Sequence, residues 1–404
     1  MTLSIANRRL LPLLILASFA TFLWVFRTNA SSPVQKKIYD LPQTGQSIGL
    51  GDDSASNVSP AGSAFGASHT KPLGKDYSRI LVIPRTSKEN ISWALEGIPE
   101  LETAVYVVDD PSAPLHPPKN KGNEVMVYLS YIIDFWDRLP DVSIFMHAHR
   151  FAWHNNELLE NDSLEMLRRL SSERIVRDGY VNLRCHWDPG CPDWIRPGAN
   201  ELSDIKKEQK VMARSWPELF PSAPIPKVLG VPCCAQFALS KDRIRSLPLD
   251  RYKYLRDWLL RSSLSDSMTG RVFEYTWHYI FTSRAVECPA MNVCYCDLYG
   301  VCFGDEEKFN KWFELRYHRR EAEKELKKWK HMEATVLVAK EKGQLDESVE
   351  LEVPELGKNL WLNDDIRKWN SEMDSMLEAA KKAGDNPANR AREAGRQWKE
   401  GDGF

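Results

Sequence analysis

Ile80-Leu81-Val82-Ile83, Val105-Tyr106-Val107-Val108 and Val142-Ser143-Ile144-Phe145-Met146 are three short apolar runs, and the segments between them decide the fold. Runs of this length, rich in β-branched residues and bounded by turn residues, read as buried strands. The first stops at Pro84. Thr86 and Glu89 then form a capping-box pair ahead of a helix carrying Ile91, Trp93, Ala94, Leu95 and Ile98. The second run ends at Asp109-Asp110 and a proline-rich loop. Asn123 next caps an amphipathic helix whose apolar stripe is Val125, Tyr128, Leu129, Ile132, Ile133 and Trp136, stopped by Leu139-Pro140. Strand, helix, strand, helix, strand predicts an α/β domain: a right-handed winding of a parallel sheet with helices on both faces.

In such sheets the ligand sits beyond the carboxyl ends of the strands. That rule points to Arg85, to Asp109 and Asp110, and to His147-Ala148-His149-Arg150. In an extended segment His147 and His149 face the same side, so both could hold a transition metal or Mn²⁺, with His154 near enough to join. Asp109 and Asp110 suit a harder cation such as Mg²⁺ or Mn²⁺. The alternatives are a solvated turn for the aspartates and hydrogen-bonded scaffolding for the histidines. Further on, residues 234–239 read as another strand, Ser240 and Asp242 open a helix, and a second helix follows over 251–262. Residues 272–281 read as one buried helix, on which Glu274 and His278 stand four apart and share a face. A carboxyl in so aromatic a segment either pairs with a buried arginine or acts, with a raised pKa, as a general base.

The rest of the chain frames this domain. The 404 residues carry 54 Lys+Arg against 56 Asp+Glu, and this near-neutral balance speaks against a globally basic nucleic-acid binder. Fourteen Trp exclude a chain that never packs. Arg8 and Arg9 precede an apolar run over 10–26, closed by Arg27, which is long enough for a spanning helix with its N-terminal side in the cytosol. The predicted layout is therefore a tip and signal anchor at 1–27, a flexible Ser/Gly/Pro stem at 28–76, a lumenal α/β domain at 77–304 and a charged helical extension at 305–404. The alternative for the start is a cleaved signal peptide, which would make the protein secreted. All eight Cys fall between Cys185 and Cys302, and an even count in a secretory setting reads as disulfides of open pairing. The 6-2-6 spacing of Cys288, Cys294, Cys296 and Cys302 leaves zinc as an alternative. The extension reads as a long helix over 308–340, a break at Pro354 and Gly357, and a second helix over 366–383. There is no G-x-x-x-x-G-K-[ST], G-x-G-x-x-G, H-E-x-x-H or G-x-S-x-G pattern, so ATPases, dinucleotide oxidoreductases, zincin proteases and standard α/β-hydrolases lose weight.

Asn120-Lys121-Gly122-Asn123-Glu124, Tyr128-Leu129-Ser130-Tyr131-Ile132-Ile133, Leu139-Pro140-Asp141, Phe145-Met146-His147-Ala148-His149-Arg150 and Trp153-His154 together resemble a fungal family known as a domain of unknown function. The resemblance runs on through Ala235-Gln236-Phe237 and Glu274-x-x-Trp277-His278. More distantly, the layout resembles nucleotide-sugar glycosyltransferases of the GT-A type, whose α/β domain binds the sugar nucleotide while a divalent ion neutralises the departing diphosphate. That resemblance implies a metal-dependent glycosyltransferase of the Golgi or another secretory compartment, with a nucleotide-sugar donor and a glycan or glycoprotein acceptor. It implies nucleotide contacts at Pro84, Arg85, Thr86, Asp109 and Asp110, and Mn²⁺ or Mg²⁺ held at His147, His149 and His278. Glu274 would be the catalytic base, with Arg150, His154, Gln236 and Trp277 toward the substrate. The chain has no Asp-x-Asp, the usual metal motif of such enzymes; His147-x-His149 stands at the corresponding strand end. The readings from other classes are a silent, disulfide-stabilised protein that binds glycans or other proteins, and a metal-dependent lumenal hydrolase.

Overall fold

In a computed structural model, residues 71, 75–197, 207–343 and 352–400 are described. The apolar run over 10–26 and nearly all of the stem lie outside them. Among the described residues no helix is long and apolar enough to cross a membrane. Five strands, β1 (Arg79–Arg85), β2 (Glu102–Val107), β3 (Val142–Phe145), β4 (Tyr180–Asn182) and β5 (Phe237–Ser240), form one sheet in the order β2-β1-β3-β5-β4. β1 runs parallel to β2 and β3, whereas β5 is antiparallel to both β3 and β4. The sheet is mixed, which corrects the all-parallel expectation. β5 enters the sheet from the end at which the other strands leave it, so the turn ahead of it lies beside the end of β3, where Phe145 pairs with Phe237.

The helices are α1 (Ser92–Leu95), α2 (Val125–Asp134), α3 (Ser163–Arg169), α4 (Ser172–Asp178), α5 (Lys207–Leu219), α6 (Lys241–Arg245), α7 (Leu249–Arg261), α8 (Asp266–Glu274), α9 (Trp277–Thr282), α10 (Glu306–Glu341), α11 (Lys358–Gly384) and α12 (Pro387–Glu393). The Thr86–Glu89 pair forms as predicted, Glu89 Oε2 accepting from Thr86 N at 2.6 Å and Oγ1 at 2.9 Å, but the helix after it shrinks to one turn. Ser240 caps α6 by accepting from the Arg243 amide. Residues 272–281 are not one helix. The chain breaks at Thr276 (φ −125°), so Glu274 ends α8, His278 lies in α9, and the two do not share a helical face.

Alternation along the strands buries both faces of the sheet. Ile80 and Val82 join α2 and the rings of Tyr128, Phe145, Phe237 and Trp277 in one cluster. Leu81 and Ile83 are as fully buried but lie outside that cluster, on the other face. Tyr128 meets Phe145 at 4.9 Å between ring centroids, Phe145 meets Phe237 at 4.9 Å, and Phe237 meets Trp277 at 5.2 Å. This aromatic floor holds the strand ends rigid beneath the site.

All eight cysteines are in disulfides: Cys185–Cys294, Cys191–Cys288, Cys296–Cys302 and the adjacent pair Cys233–Cys234. The zinc alternative is thereby removed, because the four cysteines it needs are all oxidised. The chain divides into two compact units. One contains the sheet and also residues 374–400, where the end of α11 and all of α12 lie; its buried Asp297 receives Arg174, Arg177 (2.7 Å) and Arg396 (2.7 Å). The other spans residues 310–373, where α10 and α11 pack through Ala322, Leu326 and Leu362. There Trp329 Nε1 donates to the Glu355 carbonyl at 2.7 Å across the turn made by Pro354 and Gly357.

Candidate functional site

β2 and β3 lie on opposite sides of β1, so the winding reverses there, and crevices at such a switch point are where α/β sheets hold ligands. A cleft of about 450 Å³ opens at that place. Pro84, Arg85 and Thr86 border it from the end of β1, His147, Ala148 and His149 from the end of β3, and Asn120, Asn123 and Glu124 from the entry to α2. Glu89 and Val108 complete it. Of the residues singled out in the sequence, Pro84, Arg85, Thr86, His147 and His149 therefore come together at one cleft.

The others take different places. Asp109 accepts from the Ser87 amide at 2.7 Å and hydroxyl at 2.8 Å, and those bonds hold its carboxyl below the usual range. Asp110 does the same for Ser112. Asp109 thus ties the loop after β2 to the loop after β1, and Asp110 closes a local turn. Arg150 forms a fork on Asp162, with contacts of 2.7, 3.0 and 3.1 Å, while Asp162 also caps α3; the guanidinium pins the loop after β3. His278 is enclosed, with Nε2 2.9 Å from the Ala285 carbonyl oxygen, and burial lowers its pKa to about 4. Trp277 belongs to the aromatic floor.

Gln236 and His154 act on His147. The His147 amide donates to Gln236 Oε1 at 3.1 Å, and Gln236 Nε2 donates to Asn155 Oδ1 at 3.0 Å. His147 Nδ1 lies 3.2 Å from His154 Nε2. Burial, with the neighbouring histidines, lowers His147 to about 3; burial and Arg184 lower His154 to about 4. Two uncharged rings therefore face each other at neutral pH. On the outer side His149 Nε2 stands 3.7 Å from Glu89 Oε1.

Nitrogens bound to one ion at ~2.1 Å stand ~3.4 Å apart in a tetrahedral arrangement, so the spacing of His147 and His154 fits two positions on a borderline metal. Among the described residues, three ligand atoms converge only at Cys296, Cys302 and Glu393, where both sulfurs are in a disulfide. The end of β3 and the loop after it thus supply an imidazole pair rather than the oxygen-rich set that Mg²⁺ prefers.

Glu124 is the feature that sequence reasoning missed. Gly122 (φ +70°) and Asn123 (φ +55°) turn the chain through two left-handed residues, which glycine and asparagine tolerate best, and deliver Glu124 to the start of α2 at the cleft edge. Asn123 is thus a turn residue and not the expected cap. Its side chain packs on Gly270 of α8, where a Cβ would approach Asn123 Nδ2 to 2.7 Å. Burial, and beyond it the charge of Glu274, push the Glu124 carboxyl up to about 8. Glu274 is also raised by burial, while the Cys234 amide, donating to Oε1 at 2.9 Å, and Arg271 work in the opposite direction. One turn below Glu124, the buried Tyr128 hydroxyl has no hydrogen-bond partner among the described residues. The sequence signal was a carboxylate immediately before a strongly apolar helix.

A family model described as a protein of unknown function, DUF3431, matches residues 81–297, more than half of the chain. The chain belongs to that family. The matched region begins in β1, ends at Asp297 and encloses every residue of the cleft. No curated protein matches, and no solved structure does.

Proposed function

We propose that this DUF3431 chain is a glycosyltransferase of the secretory pathway, with the nucleoside diphosphate of a nucleotide-sugar held in the crevice between the ends of β1 and β3. The observation that carries the reading is the pairing of a switch-point cleft with a carboxyl at its edge whose pKa lies near working pH. Glu124, backed by Glu274, is the acid/base pair. The ionised carboxylate accepts the acceptor hydroxyl's proton as that oxygen bonds to the anomeric carbon, and the sugar–diphosphate bond breaks. The charge of Glu274 adds to the burial that raises Glu124. His147 and His154 would hold a divalent ion, which would offset charge on the departing diphosphate. Arg85 is braced by its own loop, Nε donating to the Thr86 carbonyl at 2.9 Å, and presents positive charge at the cleft. The four disulfides suit an oxidising lumen, and the run over 10–26 suits either a type II anchor or a cleaved leader.

Thermal unfolding of the purified full chain against a panel of nucleotide-sugars, with and without Mn²⁺, tests this. A ligand at 100 times its Kd adds about 2.7 kcal/mol. The expected result is a shift with one donor class that grows with Mn²⁺. Glu124→Gln should leave that shift intact and lower turnover by about 10²-fold or more. A cooperatively unfolding protein that responds to no donor sinks the transferase reading in favour of a non-catalytic binding protein.

A further inference from the structure

Cys233 and Cys234 are neighbours in the chain and bonded to each other, so this disulfide closes no long loop and restrains a single turn. The backbone there takes φ +89° at Cys234 and +50° at Ala235, two successive residues with side chains in the left-handed region. Such a turn persists only where its surroundings over-determine it. Three contacts leave it, to Glu274, to the histidine loop at the cleft and to the residue after β4. On one side the Cys234 amide donates to Glu274 Oε1 at 2.9 Å. On the other, Gln236 Oε1 accepts from the His147 amide at 3.1 Å, and the Gln236 carbonyl accepts from the Leu183 amide at 2.9 Å. The reversed direction of β5 is what brings this turn beside the end of β3.

We infer that the Cys233–Cys234 disulfide is a positioning clamp, holding the Cys234 amide on the Glu274 carboxyl and Gln236 on the histidine loop through one rigid turn. The inference rests on the proposed reading only in treating these two groups as halves of one site. Neither cysteine touches substrate in that scheme. The charged groups around Glu274 are Arg271 on its own helix, Glu208 of α5, which pairs with Arg271 at 2.8 Å, and Glu124 at the start of α2. With the clamp opened, Glu274 loses a donor to its ionised form, so its titration moves up. Glu124 then faces less negative charge, so its titration moves down.

The test is a titration of glutamate side-chain carboxyls by ¹³C NMR in the full chain, comparing the parent with the double variant Cys233→Ser, Cys234→Ser. Glu124→Gln and Glu274→Gln assign the two signals. The expected result is opposite movement of the two midpoints, each by roughly half a unit or more. Unchanged midpoints in a variant with the parent's unfolding temperature would overturn the clamp. Should the variant not fold, the parent is treated with graded dithiol. The dithiol gives two electrons and two protons to the S–S bond and is itself oxidised to a disulfide, while mass spectrometry counts which bonds have opened. Midpoint changes that track opening of Cys233–Cys234 support the clamp, and changes that track only another disulfide overturn it. The readout needs no sugar donor, so the clamp and the transferase reading stand or fall separately.

Discussion

Glu124, His147 and His154 make opposite demands on pH. The folded pKa of Glu124, about 8, lies above that of an unfolded glutamate, so its favourable contribution is complete below about pH 4.5 and is lost as pH rises toward about 8. The histidines lie below their unfolded value. Their contribution is present above about pH 6.5 and is lost as pH falls toward about 4 for His154 and about 3 for His147. Unfolding free energy measured against pH should therefore decline on both sides. Glu124→Gln should raise stability at pH 8 by about 1–3 kcal/mol, a range reduced for its partial exposure, and leave the acid side unchanged. Measured denaturant midpoints at pH 5 and pH 8 decide this, and a variant equally affected at both would contradict the assignment. At this scale the sequence named His147 and Glu274, because an imidazole at a strand end and a carboxyl among aromatic residues are local anomalies. It missed Glu124, whose raised pKa comes first from burial and only then from Glu274, 150 residues away.

At the scale of elements, close approach decides what can be replaced. A Cβ on Gly384, at the end of α11, would lie 2.0 Å from the Gly300 carbonyl oxygen, a backbone atom that no rotamer change can move. Gly384→Ala should cost about 1–3 kcal/mol by thermal unfolding, and a neutral result would show that the backbone yields there. Asp297 is a second fixed point. Burial alone would raise its carboxyl, but Arg174, Arg177 and Arg396 hold it below the usual range. Asp297→Ala removes the buried carboxylate that three guanidinium groups share, leaving Arg174 its pair with Asp178 at 2.8 Å, and should cost about 3–5 kcal/mol in denaturant titration. The helices that frame these contacts were unevenly legible. α10 and α11 follow from their apolar spacing, with Pro354 and Gly357 between them. The split between α8 and α9 does not: the apolar run over 272–281 carries no breaker, and tertiary packing of His278 and Trp277 sets the division.

At the scale of the molecule, Cys185–Cys294 and Cys191–Cys288 tie together segments 109 and 97 residues apart. Linking distant segments restricts the unfolded chain strongly, so replacing Cys185 and Cys294 by serine should cost about 2–5 kcal/mol. Calorimetry of the double variant, with the other pairings confirmed by mass spectrometry, measures it; an unchanged transition would place the stabilisation elsewhere. For the full chain, membrane flotation tests the proposed anchor at residues 1–27 against the proposed cleaved leader. Removal of residues 1–27 should release an anchored protein, whereas cleavage in the secretory pathway leaves none of that segment to remove.

What the sequence by itself determined is local: β1, β2 and β3, the apolar helix α2, the start of α6, the long charged helices, and the cleft margin at Arg85 and His147. Each follows from periodicity, a cap or a breaker within a few residues, which act wherever the chain goes. What only the tertiary structure decided is the direction of β5, the insertion of β5 between β3 and β4, the burial of Glu124 within reach of the charge of Glu274, and the bonding of Cys233 to its neighbour. Strand direction is not written in an apolar run, because either polarity buries the same side chains. Carboxyl coupling and cysteine pairing depend on distances through space that the intervening turns and the aromatic floor establish together.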